Sequence, residues 1–380
     1  MRIKEIIVVR VTLPFTGEFS HSLRRRFSVN NIVVILMGYA GEVLGCGEGA
    51  PRPYVTGETS EISEKYVKQL INKEDFPWEV ESVAQIWEFI DSLPVGKEMN
   101  ASICAIEMAL LDGFARFKRM QVIDFFPHDH YTDSLEYGAA IPLSTRDIAE
   151  TVGRRIRELG INKLKLKMGR DYSQNLSLIS IVDSIFTEGY DLKVDVNGVW
   201  VYETGVQHLE LLNEYKVRLL EQPMSPQDPD INRFCQEAGK YNVELMADES
   251  ACSIDDLYNL KNISSYQMIN IRLSKCGGLR RSMQMIEYLR NKKVKFQIGC
   301  QLGESGLLSS AGRILSLLSN DSVYYDGSYD NLLLAENITD KDVCFEYGGK
   351  AYPLCGPGLG VNVDINKVKK ISEHLTILKL

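Results

Sequence analysis

Asn162-Lys-Leu-Lys-Leu-Lys-Met-Gly169 decides the reading of this chain. Lysines stand at 163, 165 and 167, every second position, so in a strand all three project to one side and Leu164, Leu166 and Met168 to the other. A strand with an apolar outer face and a cationic inner face calls for anions nearby. They follow at the ends of later strand-like runs: Asp195 in Lys-Val-Asp-Val-Asn, Glu221 in Arg-Leu-Leu-Glu-Gln-Pro, and Asp248 in Met-Ala-Asp-Glu-Ser. Lys275 comes next, in Ser-Lys-Cys-Gly-Gly. From Lys167 to Lys275 these residues recur at intervals of about 27, the length of one strand-plus-helix unit in a (β/α) barrel of about 250 residues. One charged group per unit, always at the same end, is the pattern of an active site.

The 380 residues, 44% of them hydrophobic, are enough for one large domain with an accessory one. The formal charge of -8 argues against nucleic acid or an anionic membrane surface as a partner. Apolar runs such as Ile32 to Met37 are strand-sized, and the Met1-Arg-Ile-Lys4 start lacks a signal-peptide core, so a cytoplasmic protein is expected. Eight cysteines form no Cys-x-x-Cys pair, which disfavours a zinc or redox motif.

Along the chain, 2–13 reads as a strand, Pro14 to Ser28 as irregular, and Asn31 to Tyr39 as a strand, with Gly41, Gly45 and Gly47 marking a hairpin. Helices are expected from a Thr59 or Ser60 cap to Ile71, from Val80 to Ser92, and from Asn100 to Lys118. Together these make an α+β unit. Strict alternation follows. Strands are expected at Leu135–Pro142, Asn162–Lys167, Asp191–Asp195, Val217–Glu221, Val243–Ala247, Met268–Leu273, Val294–Ile298 and Val323–Tyr325, with helices between them. Successive strand ends that each carry a polar group fit a barrel better than an open sheet, which binds at one switch point. The tail from about Asp340 looks like a return to the first unit.

Any one of Asp195, Glu221 and Asp248 could simply cap the helix after its strand. Three in register on adjacent staves repel unless a cation binds them, and an oxygen-only set favours Mg²⁺ over zinc, with Mn²⁺ as an admissible substitute. Asn197, two residues beyond Asp195 on the same face, could support the metal or the ligand. Strands two and six stand across an eight-stranded barrel, so Lys167 and Lys275 are expected to face each other. Lys165, a like charge at i-2, would disfavour the protonated form of Lys167. A metal carboxylate site between two lysines suits removal of a proton alpha to a carboxylate, because the enediolate gathers negative charge on oxygen. A base on each face permits inversion. With one lysine inert or acting only as a cation, the same intermediate could eliminate or close a ring.

Over nearly its full length the sequence resembles the muconate-lactonising subgroup of the enolase superfamily, the mandelate racemase/muconate lactonising enzyme-like proteins. Lys165-Leu-Lys167-Met-Gly169 is similar to its Lys-x-Lys element, whose second lysine is the base; Asp195-Val-Asn197, Glu221-Gln-Pro223 and Ala247-Asp-Glu-Ser250 resemble its metal-ligand motifs. Lys275-Cys-Gly-Gly278 resembles its opposing-lysine motif, and Gly356-Pro-Gly-Leu-Gly360 its closing segment. The resemblance implies an α/β fold, a (β/α)7β TIM-like barrel with an N-terminal α+β capping domain: 1–125 as cap, 126–340 as barrel, and 341–380 returning to the cap. It also implies Mg²⁺ and a small carboxylate substrate, and a homo-oligomer is expected. The activity implied is a racemase or epimerase of an amino-acid derivative, a dipeptide or N-acyl amino acid. The alternatives are a cycloisomerase or β-elimination lyase (muconate cycloisomerase- or o-succinylbenzoate synthase-like), and a non-catalytic barrel that binds carboxylate and metal. Dipeptide epimerases carry an Asp-x-Asp near strand eight for the substrate ammonium; here Asp326 and Asp330 lie four apart, a departure. Glu304 falls in the family's acid-bearing segment after strand seven. By the same analogy the 21–27 loop, with Arg24, and the Arg52-Pro-Tyr54 turn would close over the substrate.

Overall fold

Pro14 does not end the first strand. In the computed structural model, which describes residues 1–21, 24–259 and 265–379 and no side chains in 18–26, β1 (Glu5–His21) pairs antiparallel with β2 (Arg24–Met37). Register runs from Glu5↔Met37 to Pro14↔Ser28, slips, and resumes at Phe19↔Arg26. A proline has no N–H for the ladder, so pairing breaks there, but the strand continues where irregular chain was expected. β3 (Val43–Gly49) adds to β2. Of the three glycines expected at the hairpin, only Gly41 sits in the turn, with φ +82°. Gly45 and Gly47 lie within β3 and serve close packing instead. After α1 (Ser60–Ile71), capped by Thr59, and α2 (Val83–Ser92), α3 (Asn100–Lys118) crosses β3 so closely that a Cβ on Gly47 would overlap the Ala105 carbonyl oxygen. Every α3 residue from Asn100 to Ala115 is buried.

The strand expected over Leu135–Pro142 is two short ones, β4 (Leu135–Glu136) and β5 (Ala139–Ile141). Then come β6 (Lys163–Lys167), β7 (Asp191–Asp195), β8 (Leu219–Glu221), β9 (Glu244–Ala247), β10 (Met268–Arg272) and β11 (Lys295–Gly299). Among the described residues, β5 to β11 form a seven-stranded parallel sheet in chain order, each strand beside the next. The segment expected as an eighth strand bonds to β11 through Val323 N→Phe296 O (3.0 Å) and Asp326 N→Ile298 O (2.9 Å). On its other side Tyr325 O accepts from Gly138 N at 2.8 Å, beside β5. β12 (Lys350–Ala351) pairs with β4, and β13 (Ser372–Lys379) runs antiparallel to β1. The end of the chain therefore completes the first sheet.

The parallel strands bury one apolar face, for example Leu164, Leu166, Val194, Leu220, Leu245, Ile269 and Ile271, at roughly 1.5–3 kcal/mol for each side chain fully removed from water. On the inner face, Leu219, Met246 and Met268 pack with Tyr324. Each lies two residues before a polar residue, Glu221, Asp248 or Asn270, so a small apolar plug underlies a charged layer. Among the described residues no helix is long and apolar enough to cross a membrane.

Candidate active site

Parallel register places Lys167 beside Asp195 and Asp195 beside Glu221, at the C-terminal ends of β6, β7 and β8. Asp248 follows the end of β9. All three acids are fully buried. The Lys167 ammonium pairs with Asp195 Oδ2 and donates to Asn197 Oδ1 at 3.0 Å. Two residues in left-handed backbone shape this rim. Asn197 (φ +49°) turns back so that its N–H donates to Asp195 Oδ1 (2.9 Å) and its Nδ2 to Glu249 Oε1 (3.1 Å). Gln222 (φ +39°) accepts from the N–H groups of Asp248 (2.9 Å) and Ser250 (3.1 Å), tying the end of β8 to the end of β9. Glu249 is buried in the site; burial first and Asp248 second push its carboxyl up to about 8.

Cations fill the space beneath and beside these acids. Lys165 lies between Glu221 Oε2 (2.7 Å) and Asp326 Oδ2 (2.8 Å). Lys193 donates to Gln297 Oε1 (2.6 Å) and reaches Asp326 at 3.0 Å. Burial pushes the Asp326 carboxyl up, but Lys165 and Lys193 outweigh it and hold the group down at about 2. Asp326 is thus the hub of a buried ion-pair network. Lys163, lower on β6, pairs with Glu136 at 3.4 Å.

Lys275 is not on a strand end. It lies in a helical turn, Leu273–Cys276, after β10, and its side chain is 0% exposed. Its ammonium donates to Asn270 O (2.6 Å), Asp248 O (2.8 Å) and Asp248 Oδ1 (3.1 Å), which uses all three of its hydrogens. Asn100 of α3 clamps this turn through the Lys275 carbonyl at 2.6 Å. Burial alone would lower the pKa of Lys275, but Asp248 overrides it and the group is held above its ordinary value. The residue that ends β10 is Arg272. Its Nη2 pairs with Asp248 Oδ2 and lies 3.3 Å from Glu221 Oε1, and its Nη1 donates to Gln301 Oε1 at 3.2 Å.

As they stand, no three carboxylate, histidine or cysteine side chains among the described residues converge to hold a metal ion. The Arg272 guanidinium occupies the gap between Glu221 and Asp248. The surroundings nevertheless suit a hard divalent ion. The carboxylate donors are all oxygen and buried, and the buried oxygens Glu249 Oε2 and Asn270 Oδ1 make no hydrogen bond. Each such orphan oxygen costs on the order of 1–3 kcal/mol and is suited to receive a ligand. The residues fit Mg²⁺ once Arg272 withdraws.

Glu304 precedes the helix Gly306–Leu317, which Ser305 caps; it is buried, accepts from Gln301 N at 2.6 Å, and burial pushes its carboxyl up to about 8. Tyr54 is half-buried beside Arg52, whose guanidinium is spent on Asn31 Oδ1 (2.9 Å) and the Leu302 carbonyl (3.1 Å). The Arg24 side chain lies outside the described residues. Arg272, Lys193, Asn270 and Gln222 were not anticipated. For Arg272 a signal existed: it shares the even parity of Met268 and Asn270, which Lys275 breaks.

Residues 147–368 match the model of a family described as enolase C-terminal domain-like. The chain is 22% identical over 377 residues to a hydrophobic dipeptide epimerase of Enterococcus faecalis, covering 98% of each. Its structure is similar to that of an N-succinyl Arg/Lys racemase from Bacillus cereus (TM-score 0.87, 20% identity, all of both chains). A dipeptide epimerase from Cytophaga hutchinsonii, solved with Mg and the dipeptide D-Ala-L-Val, is similar over the whole of both chains, with TM-score 0.86 and 21% identity.

Proposed function

Since the chain belongs to the enolase C-terminal domain-like family, we propose that it is an isomerase, a racemase or epimerase that removes the proton alpha to a carboxylate of an amino-acid derivative. A relative named a hydrophobic dipeptide epimerase, matched over 98% of this chain, and one named an N-succinyl-L-Arg/Lys racemase, matched over 82%, support this substrate class. In this reading the parallel sheet is a (β/α)7β barrel completed by 323–326, the units are 1–125, 126–340 and 341–380, and Asp195, Glu221 and Asp248 hold Mg²⁺. The ion supplies positive charge to the carboxylate oxygens of a bound substrate.

The observation that carries the reading is Lys167: an amine at the rim of three buried carboxylates, aimed by Asp195 and Asn197. Lys167 in its neutral form takes the alpha proton, and the C–H electron pair moves into the carboxylate as an enediolate. Asn197 and Asp195 keep Nζ in place, and Gln222 fixes the spacing of the Glu221 and Asp248 strand ends. Incubation with dipeptides and N-acyl amino acids in D₂O tests the reading. Deuterium should enter the alpha position; a panel that includes unsaturated diacids and shows none would reject it.

A second reading, a cycloisomerase or β-elimination lyase, is favoured by one observation: the ammonium of Lys275 has no free donor with which to serve a second face.

A further inference from the structure

Three facts about β10 belong together. Met268, Asn270 and Arg272 share one face: Met268 enters the inner plug, Asn270 donates to Glu221 at 2.7 Å, and Arg272 reaches Glu221, Asp248 and Gln301. Lys275, three residues on, lies in the helical turn after the strand and is sealed under Asp248. β6 and β10 flank the arc of β7, β8 and β9 that carries the three acids, so the groups at the two ends of the arc are Lys167 and Arg272.

We propose that Arg272, rather than Lys275, is the side chain that the second face of the substrate meets, and that this face is served by a fixed cation and no amine. The proposal rests on the alpha-proton reading above and adds an asymmetry to it. Lys167 removes the proton on its own face, exchanges it with solvent as an ammonium, and can return it there with retention. On the second face the guanidinium attracts the negative charge of the enediolate, and the proton that completes an inversion comes from water. The hydroxide left behind is neutralised by the proton that Lys167 carries, so the balance closes with no other reagent. Exchange therefore outruns inversion. Arg272 is the second-face counter-charge, and Lys275 is a structural strut.

The experiment follows deuterium entry and optical inversion together, by NMR and chiral chromatography, on a dipeptide such as L-Ala-L-Glu with Mg²⁺ in D₂O. In the wild-type enzyme exchange should exceed inversion by roughly 10-fold or more, since a positioned acid or base is worth about 10²–10⁴-fold. Arg272→Lys should bring inversion toward parity with exchange, and Lys275→Met should leave the ratio unchanged. Inversion at every exchange event in the wild type, or its loss in a folded Lys275→Met with exchange intact, would overturn the proposal. If the wild type exchanges no substrate, the alpha-proton reading fails by itself. A crystal soaked with Mg²⁺ and the same dipeptide then decides the placement. Contact of the dipeptide with the Arg272 guanidinium supports it, and contact with Lys275 Nζ, or with neither, overturns it.

Discussion

Replacing Lys275 by methionine keeps an unbranched side chain in its place and removes the ammonium alone. The loss leaves the carbonyls of Asn270 and Asp248 without the donors they had at 2.6 and 2.8 Å, and takes one of the cations from Asp248. Breaking a buried ion pair from one side costs about 3–5 kcal/mol. Arg272 still pairs with Asp248, so the net effect belongs at the lower end, about 3 kcal/mol. Urea denaturation followed by circular dichroism and tryptophan fluorescence should show the midpoint falling while the slope stays constant. Under conditions where the variant remains folded, alpha-hydrogen exchange should stay within about 10-fold of wild type, against the 10²–10⁴-fold expected for loss of a base. The reasoning is refuted if stability changes by less than about 1 kcal/mol while exchange drops by more than 10²-fold.

Further outcomes follow from other parts of the structure. Burial raises the Glu304 carboxyl from 4.5 to about 8, so the folded state retains a proton that the unfolded chain releases between those values. Its contribution to stability falls as pH rises through that window, and Glu304→Gln should gain on wild type in urea melts at pH 8 relative to pH 5. Gly47→Ala should destabilise by about 1–3 kcal/mol, since its methyl meets the Ala105 carbonyl of α3; a melt within about 0.5 kcal/mol of wild type would contradict that packing. Mg²⁺ at 100 times its dissociation constant should stabilise the fold by about 2.7 kcal/mol, and chelator should reverse the shift. Asp195→Asn should weaken that response.

The alternation of lysines in β6 and the acids at the ends of β7, β8 and β9 were legible because strand parity and unit length survive in sequence. The helix over Asn100–Lys118 was legible from its apolar period. Four features were not. The continuation of β1 beyond Pro14 depends on a partner strand that tolerates a register slip, which the local residues do not encode. Gly45 and Gly47 read as turn residues because a glycine that makes room for a helix looks the same in sequence as one that bends. Lys275 was assigned by motif and spacing, and the motif masked the parity that separates a strand end at Arg272 from a helical turn three residues later. The Lys165–Asp326–Lys193 network escaped notice because ion pairs across the sheet join residues more than 130 positions apart.

Lys167→Ala probes removal of the alpha proton by Lys167 itself. With Mg²⁺ in D₂O, on a substrate that the wild type labels, the variant should lose alpha-deuterium incorporation by about 10²–10⁴-fold. Its Mg²⁺-induced stabilisation should survive, and its stability in urea should fall by no more than loss of the buried Asp195 ion pair allows, about 3–5 kcal/mol. Deuterium entering at the wild-type rate in that variant would rule out Lys167 as the base.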